Sequence, residues 1–455
     1  MNSLTEFKKI LILPLFVVLA LVALASHAVA QAAGRVDRTR RPDLDATPVI
    51  DWSNEARYAI VPPSAGPENY GNKFPGEAAV YMGIVHVAIY DAAVAIEGGY
   101  EPYAIELIAP PDTSSAAAIA TATYRTLLGL QPPLGLTPAQ LEFLTGRYNA
   151  YMDAIPNGLP KDHGIQVGEQ VAAAVVALRT NDGREQNPVF GQPPFVPPPP
   201  GPGVWERNPG NPLPPVLGLR LPGIRPLALE SASQFRPDGP NPLTSEEYAE
   251  DFNQVKELGR FDSATRTPAQ TAQALFWTDH DLRQWNDGML NIAVGRGLDL
   301  VQTARMLAMA HVSGGDAMIA GFEAKYHYWF WRPITAIHQA AFDGNPATEP
   351  DPTWVPLRTT PNHPEYPAAH AFHSSALAAA LRAFFGTDKV TFTLDSRVPG
   401  ATPTRNYGSF HDAVKDVNLA RTLAGFHFRN SCEEGSQLGR DVGRYVDEHY
   451  FQPVQ

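Results

Sequence analysis

Seventeen of the 44 prolines in this chain fall within the 55 residues from Pro188 to Pro242, with Pro197-Pro198-Pro199-Pro200 near the centre. Proline fixes φ and lacks an amide donor, so neither a helix interior nor a central strand can run through such a stretch. The segment is therefore an extended connection. Two roles are open to it. It could link two domains, or it could wrap the molecule and help roof a site, because Phe190, Phe195, Trp205 and Phe235 would be costly to leave in water. A chain of 455 residues has room for two domains. The division read here is 31–187, a connecting segment at 188–243, and 244–455.

On both sides of this segment the pattern is helical. Ala78–Ile96, Ser115–Leu130, Ile165–Arg179, Ser245–Leu258, Leu298–Tyr328, His370–Phe385 and Val414–Phe426 are rich in Ala, Leu, Glu and Met, with apolar residues at three- and four-residue intervals. Alternating strand patterns are scarce, so the fold class is all-α. A repeat relates the halves. His86-Val87-Ala88-Ile89-Tyr90-Asp91-Ala92 resembles His311-Val312-Ser313-Gly314-Gly315-Asp316-Ala317, and Gly164-Ile165-Gln166-Val167-Gly168 resembles Gly435-Ser436-Gln437-Leu438-Gly439, in the same order. That predicts two related helical bundles. The second copy is longer between these markers and carries most of the polar chemistry, which places the site there.

The first thirty residues follow the grammar of a secretory signal: Lys8 and Lys9, an apolar run from Ile10 to Ala25, and Ala28-Val29-Ala30 as a small-x-small cleavage site. A membrane anchor is the rival reading, but the run is short and broken by Pro14. The expectation is a secreted or periplasmic protein cut near Ala30, with no later stretch able to span a membrane. Acids outnumber bases by 47 to 35, which speaks against nucleic acid as a partner. A single cysteine, Cys432, rules out an intrachain disulfide and a cysteine-built metal cluster.

Three segments put cations and histidines into apolar surroundings. In the first, Lys325 and Arg332 are seven residues apart, close to two helical turns, so they can point the same way, with Arg332 near a helix end because Pro333 follows. The second runs from His363-Pro364-Glu365-Tyr366-Pro367 to Ala368-Ala369-His370 and opens a helix whose amides can approach an anion. The third holds Arg421 and His427, about 120° apart on a straight helix, so their convergence requires a bend or helix end at Gly425. Each segment alone also has an ordinary reading: solvated cations, an incidental histidine, a cation at a helix C-terminus.

Together, in order and spacing, the three resemble the tripartite motif K-x6-R-P, P-S-G-H, S-R-x5-H of vanadium-dependent haloperoxidases and the type 2 phosphatidic acid phosphatase superfamily. The matching residues are Lys325 and Arg332-Pro333, Pro367-Ala368-Ala369-His370, and Ala420-Arg421 with His427. The resemblance extends over nearly the whole chain after residue 30, in the manner of secreted bacterial members. It implies that Lys325, Arg332, Arg421 and the amide of Ala369 bind the oxygens of vanadate or phosphate. It makes His427 the ligand to vanadium, or the phosphorylated nucleophile of a phosphatase, and His370 the general acid–base. Hydrogen peroxide, halide and a small organic acceptor are the implied partners. Three departures stand out. Ala368 and Ala369 replace the serine and glycine of the motif, and Ala420 replaces its second serine. His363 resembles the algal bromoperoxidases rather than a chloroperoxidase type, and Phe322 stands where that chloroperoxidase type has tryptophan. The function implied is a vanadate-dependent haloperoxidase using bromide more readily than chloride. The alternatives are an acid phosphatase working through His427, an oxyanion-binding homologue impaired by Ala368, and, less favoured, a metallohydrolase built on His363, His370 and His373.

Overall fold

The structure is a computed structural model, and it describes residues 44–61, 73–208 and 214–454. The proposed signal segment at 1–30 lies outside these residues. The helices are α1 Thr47–Ile60, α2 Pro75–Glu97, α3 Ser115–Gly129, α4 Pro138–Asp153, α5 Leu159–Leu178, α6 Glu246–Leu258, α7 Pro268–Phe276, α8 Asp281–Arg296, α9 Leu300–Tyr328, α10 Pro333–Gln339, α11 Ala369–Phe385, α12 Phe410–Leu423 and α13 Arg429–His449. One antiparallel hairpin, β1 Phe392–Asp395 with β2 Thr404–Tyr407, interrupts them. The fold is all-α in character, as the periodicity predicts. Local chemistry sets several boundaries. The sequence Thr-Pro-Ala-Gln occurs at 137–140 and 267–270, and both copies form reciprocal capping boxes that start α4 and α7. Asp299 and Gln302 do the same for α9.

The sequence repeat is a structural repeat. α2 packs along α9, and the rings of His86 and His311 stack at their contact, 4.1 Å between centroids. Asp91 on α2 accepts the amides of Tyr103, Ala104 and Ile105, and Asp316 on α9 accepts those of Leu227, Ala228 and Leu229. The glycine pairs match as well. Gly164 and Gly168 bring α5 onto α3, and Gly435 and Gly439 bring α13 onto α11. A Cβ at Gly439 would stand 2.2 Å from the Phe372 carbonyl, a backbone atom with nowhere to go. The copies differ in length: α2 ends six residues beyond Asp91, whereas α9 runs twelve beyond Asp316, and Lys325 lies on that extension.

One expectation is corrected. α2 is long and apolar enough by composition to cross a membrane, contrary to the reading that no later stretch could; the apolar window of α2 is wholly buried within the protein, where it forms core. The proline-rich segment packs closely on the second copy. Trp205 is buried, its amide donates to the Trp329 carbonyl (2.6 Å), and the Trp331 amide donates to Gly203 (3.0 Å). Tyr326 and Tyr328 donate their hydroxyls to the carbonyls of Leu217 and Pro237.

The stacked histidines make stability depend on pH. The His86 ring bonds the Met82 carbonyl (2.9 Å) and Ser53 Oγ (3.0 Å), and His311 bonds Asn286 Oδ1 (3.0 Å). Burial pushes His86 down to about 4, and burial together with His86 and His373 holds His311 well below its ordinary value. Both rings are therefore neutral in the folded chain. Their depressed folded values mean that stability is complete above about pH 6.5, where the unfolded histidines are also neutral. It falls as pH drops from there to about 4, because only the unfolded state takes up the proton. His86 alone should cost about 3 kcal/mol across that window. Urea denaturation against pH checks this: His86→Gln should flatten the slope between those values, whatever it costs at neutral pH.

Candidate functional site

The motif residues come together on one side of the second copy. A cavity of about 620 Å³ is lined by Phe322, His363, Ala369, His370, Arg421 and His427, with Phe74, Met318, Val398, Pro399 and Phe426 making much of its wall apolar. Among the described residues of 188–242, none lines this cavity.

Arg421 and His427 meet because the chain turns where a straight helix would have separated them. α12 stops at Leu423, and Gly425 adopts φ +79°. A Cβ there would also come within 2.7 Å of the Gly259 carbonyl, so both conformation and space require glycine. One guanidinium nitrogen of Arg421, Nη1, donates to the Trp277 carbonyl (2.6 Å), while its Nε is buried with no partner among the described residues. Burial pushes Arg421 down to about 10.

His427 is buried and held on one side by an acid that sequence reasoning missed. Its Nδ1–H donates to Glu365 Oε1 (2.8 Å), and the same carboxylate accepts the Phe428 amide (3.0 Å) and the Ser431 hydroxyl (2.5 Å). That bond leaves Nε2 as the nitrogen with a lone pair, 3.1 Å from Arg332 Nη1. Burial and then the cations Arg332, Lys325 and Arg421 hold His427 well below its ordinary value, so the ring is neutral. Burial pushes Glu365 up to about 7 against the pull of Ser431, Arg332 and Lys325. With three donors on its two oxygens, it is arranged as the carboxylate that balances those cations.

Lys325 and Arg332 stand behind the cavity wall. The Lys325 ammonium donates to the carbonyls of Pro364 (3.1 Å), Glu365 (2.8 Å) and Pro367, one acceptor for each hydrogen, as a fully buried cation requires. Its hydrogens therefore organise the loop that leads into α11 instead of entering the cavity. Burial, then Arg332, pushes its pKa well down. Arg332 lies at a helix boundary, as Pro333 predicts, but at the start of α10 rather than the end of the helix that carries Lys325. α9 ends at Tyr328, Trp329 turns into the left-handed region at φ 52°, and Arg332 is the extended residue before α10. Leaving the helix lets its guanidinium bond the carbonyls of His363 (3.0 Å) and Phe426 (2.9 Å) as well as His427. Burial pushes it down to about 9.

His370 is the second residue of α11, which starts at Ala369 without a side-chain cap from Ala368. Its Nε2 is buried without a partner among the described residues, and burial followed by Arg421 pushes the ring down to about 3 while Asp281 pulls the other way. His363 is neutral for the same reasons, burial first and Arg332 next, and it packs against Phe322 at 5.1 Å between ring centroids. His373 turns away from the cavity. Its Nδ1 bonds Asp281 Oδ2 (2.8 Å) and its Nε2 abuts Gly314 on α9, so His363, His370 and His373 do not converge. Among the described residues, no three His, Cys, Asp or Glu side chains are placed to hold a metal cation. Cys432 is buried beside Ala368 and Ala371.

The segment from Trp277 to Asp281 was also overlooked, and it forms one wall of the cavity through Thr278, Asp279, His280 and Asp281. Its signal was present: a histidine between two acids immediately before a helix, in a chain with only 18 % charged residues. The centre thus gathers Lys325, Arg332 and Arg421 against Glu365 and Asp281, with neutral imidazoles between them. A net positive charge in an apolar enclosure is completed by an anion.

Residues 305–455 match the family model of the second helical-bundle domain of vanadium chloroperoxidase, VCPO. The vanadium chloroperoxidase of Curvularia inaequalis is 26 % identical over 384 residues, which is 68 % of this chain and 61 % of that protein, so the match spans less than two thirds of its length. The crystal structure of the first bacterial vanadium-dependent iodoperoxidase superimposes with a TM-score of 0.70 at 22 % identity, covering 92 % of this chain and 99 % of that one. A holo-type bacterial vanadium-dependent chloroperoxidase gives 0.65 at 17 % identity, covering 90 % and 98 %. The second bundle is thus matched in sequence to the second helical-bundle domain of vanadium chloroperoxidase, and over most of its described length the chain shares the fold of these bacterial vanadium-dependent haloperoxidases.

Proposed function

We propose that this chain is a vanadate-dependent haloperoxidase that oxidises halide, bromide more readily than chloride, with hydrogen peroxide. The observation that carries the reading is His427: a neutral ring fixed by Glu365 through Nδ1, with Nε2 beside Arg332 at a cavity that Arg421 and His370 also line. A tetrahedral oxyanion that can carry a proton fits this site, because the donor Arg421 Nε and the ring nitrogen His370 Nε2 are buried polar atoms with no partner among the described residues. His427 would ligate the vanadium, Arg421 would bind oxygens directly, and Arg332 and Lys325 would supply positive field from behind. Bound vanadate would supply a Lewis acid that activates peroxide for attack by halide without changing its own oxidation state.

The rest falls to the chain's own residues. His370, neutral at physiological pH, can take the proton of peroxide at Nε2. The apolar wall excludes water and strengthens each charge-assisted bond. His363 and Phe322 present a neutral, weakly polar surface to the halide, which favours an anion that is cheaper to desolvate; bromide and iodide fit that better than chloride. A small organic acceptor would receive the oxidised halogen.

Purified protein loaded with orthovanadate should oxidise bromide and iodide faster than chloride in a peroxide-dependent halogenation assay, and phosphate should inhibit it by competition. Absence of vanadate-dependent halide oxidation in this assay would sink the proposal. Hydrolysis of an aryl phosphate by the vanadate-free protein in that case would assign it as a phosphatase.

A further inference from the structure

Four buried side-chain nitrogens at the cavity wall have no partner among the described residues: Arg421 Nε, His370 Nε2, and both ring nitrogens of His280. The first two belong to the motif. His280 does not, and nothing in the site as described so far uses it. A buried polar group without a partner costs about 1–3 kcal/mol, so an imidazole with two such atoms on a cavity wall points to a ligand.

The geometry around it is rigid. His280 caps α8 through its backbone, and its own amide bonds Asp279 Oδ1 (2.7 Å). Asp279 also receives the Arg397 amide (2.6 Å), and Asp281 holds His373 (2.8 Å). Three residues before His280, the Trp277 carbonyl takes Arg421 Nη1 at 2.6 Å, which ties this segment to the guanidinium that faces the anion site. Meanwhile the hydrogens of Lys325 go to three carbonyls, and Arg332 is engaged by two carbonyls and His427. Donors still available to an oxyanion therefore lie on the side of Arg421, His370 and the segment 277–281.

We propose that His280 is a further binding residue of the cavity, donating a ring N–H to an oxygen of the tetrahedral oxyanion held beside Arg421 and His370. The inference rests on the reading that the cavity holds vanadate or phosphate, and it names a residue that the tripartite motif does not contain. A neutral imidazole suffices, because it always carries one N–H.

Vanadate and inorganic phosphate affinities should be measured by calorimetry on the wild type, His280→Ala and His280→Gln. His280→Ala should weaken both anions about tenfold or more, the usual worth of a hydrogen bond to a charged group. His280→Gln keeps an N–H donor and should lose less. Since the ring bonds nothing in the free protein, the anion-free melting temperature of His280→Gln should stay near that of the wild type, while the rise on adding phosphate shrinks in His280→Ala. Wild-type binding with no change in His280→Ala overturns this inference alone. If the wild type binds neither anion, the reading beneath it falls and takes the inference with it.

Discussion

Replacing His427 with alanine should lower peroxide-dependent halide oxidation by about 10³-fold or more, well beyond what loss of packing would do. The ring is buried, neutral and fixed on both sides, Nδ1 on Glu365 and Nε2 by Arg332. No neighbouring side chain can take over Nε2, because the other cavity histidines, His280, His363 and His370, are held by different elements. Phosphate affinity should fall far less than turnover, since Arg421 and His370 still face the cavity. That split between binding and turnover is the informative readout, measured as Kd for phosphate beside kcat for bromide. A variant with full turnover would remove His427 from the centre of the reaction.

Replacing Glu365 should cost a large part of the molecule's stability. It is buried among Lys325, Arg332 and His427, and it accepts three hydrogen bonds. Glu365→Ala leaves those cations without their carboxylate, and breaking a buried charge arrangement in this way costs about 3–5 kcal/mol. Chemical denaturation at pH 7 measures it directly. Glu365→Gln separates the structural part from the chemical one. The amide keeps the volume but turns a donor toward the donors already there, so the orientation of His427 is lost. Vanadate affinity should then fall about 10- to 100-fold, as when the outer partner of a ligating histidine is changed. Equal affinity in Glu365→Gln and the wild type would show that the carboxylate merely fills space.

Much of this arrangement was legible before any coordinates. Lys325, Arg332, His370, Arg421 and His427 stand out as charges in apolar helices, and the repeat around His86 and His311 announces two related halves. What escaped had physical reasons. α13 carries Gly435, Gly439 and Gly443, poor helix formers by propensity, and they are there because α11 presses too close for side chains. α8 hides its period behind buried polar residues: Arg283, Gln284 and Asn286 bond inside the protein, where a periodicity argument expects apolar ones. Glu365 sits between Pro364 and Pro367 in what reads as a loop, and only the turn at Gly425 brings His427 to it. Arg332 leaves its helix at Trp329, whose left-handed backbone no residue pattern announces.

The pairing of α2 with α9 limits how the chain can be taken apart. The proline-rich segment marks an obvious place to cut, yet a fragment starting at residue 244 would expose the face of α9 that His86 and its neighbours cover, with His311 in the middle of it. Asp316 would lose its three amide partners at 227–229. The half without the motif is therefore the template against which the other half sets its longest helix, and at the end of that helix stands Lys325. Directed evolution of the cavity should find productive changes along α2, whose first residues, Pro75 and Gly76, line that cavity while the rest of the helix supports α9.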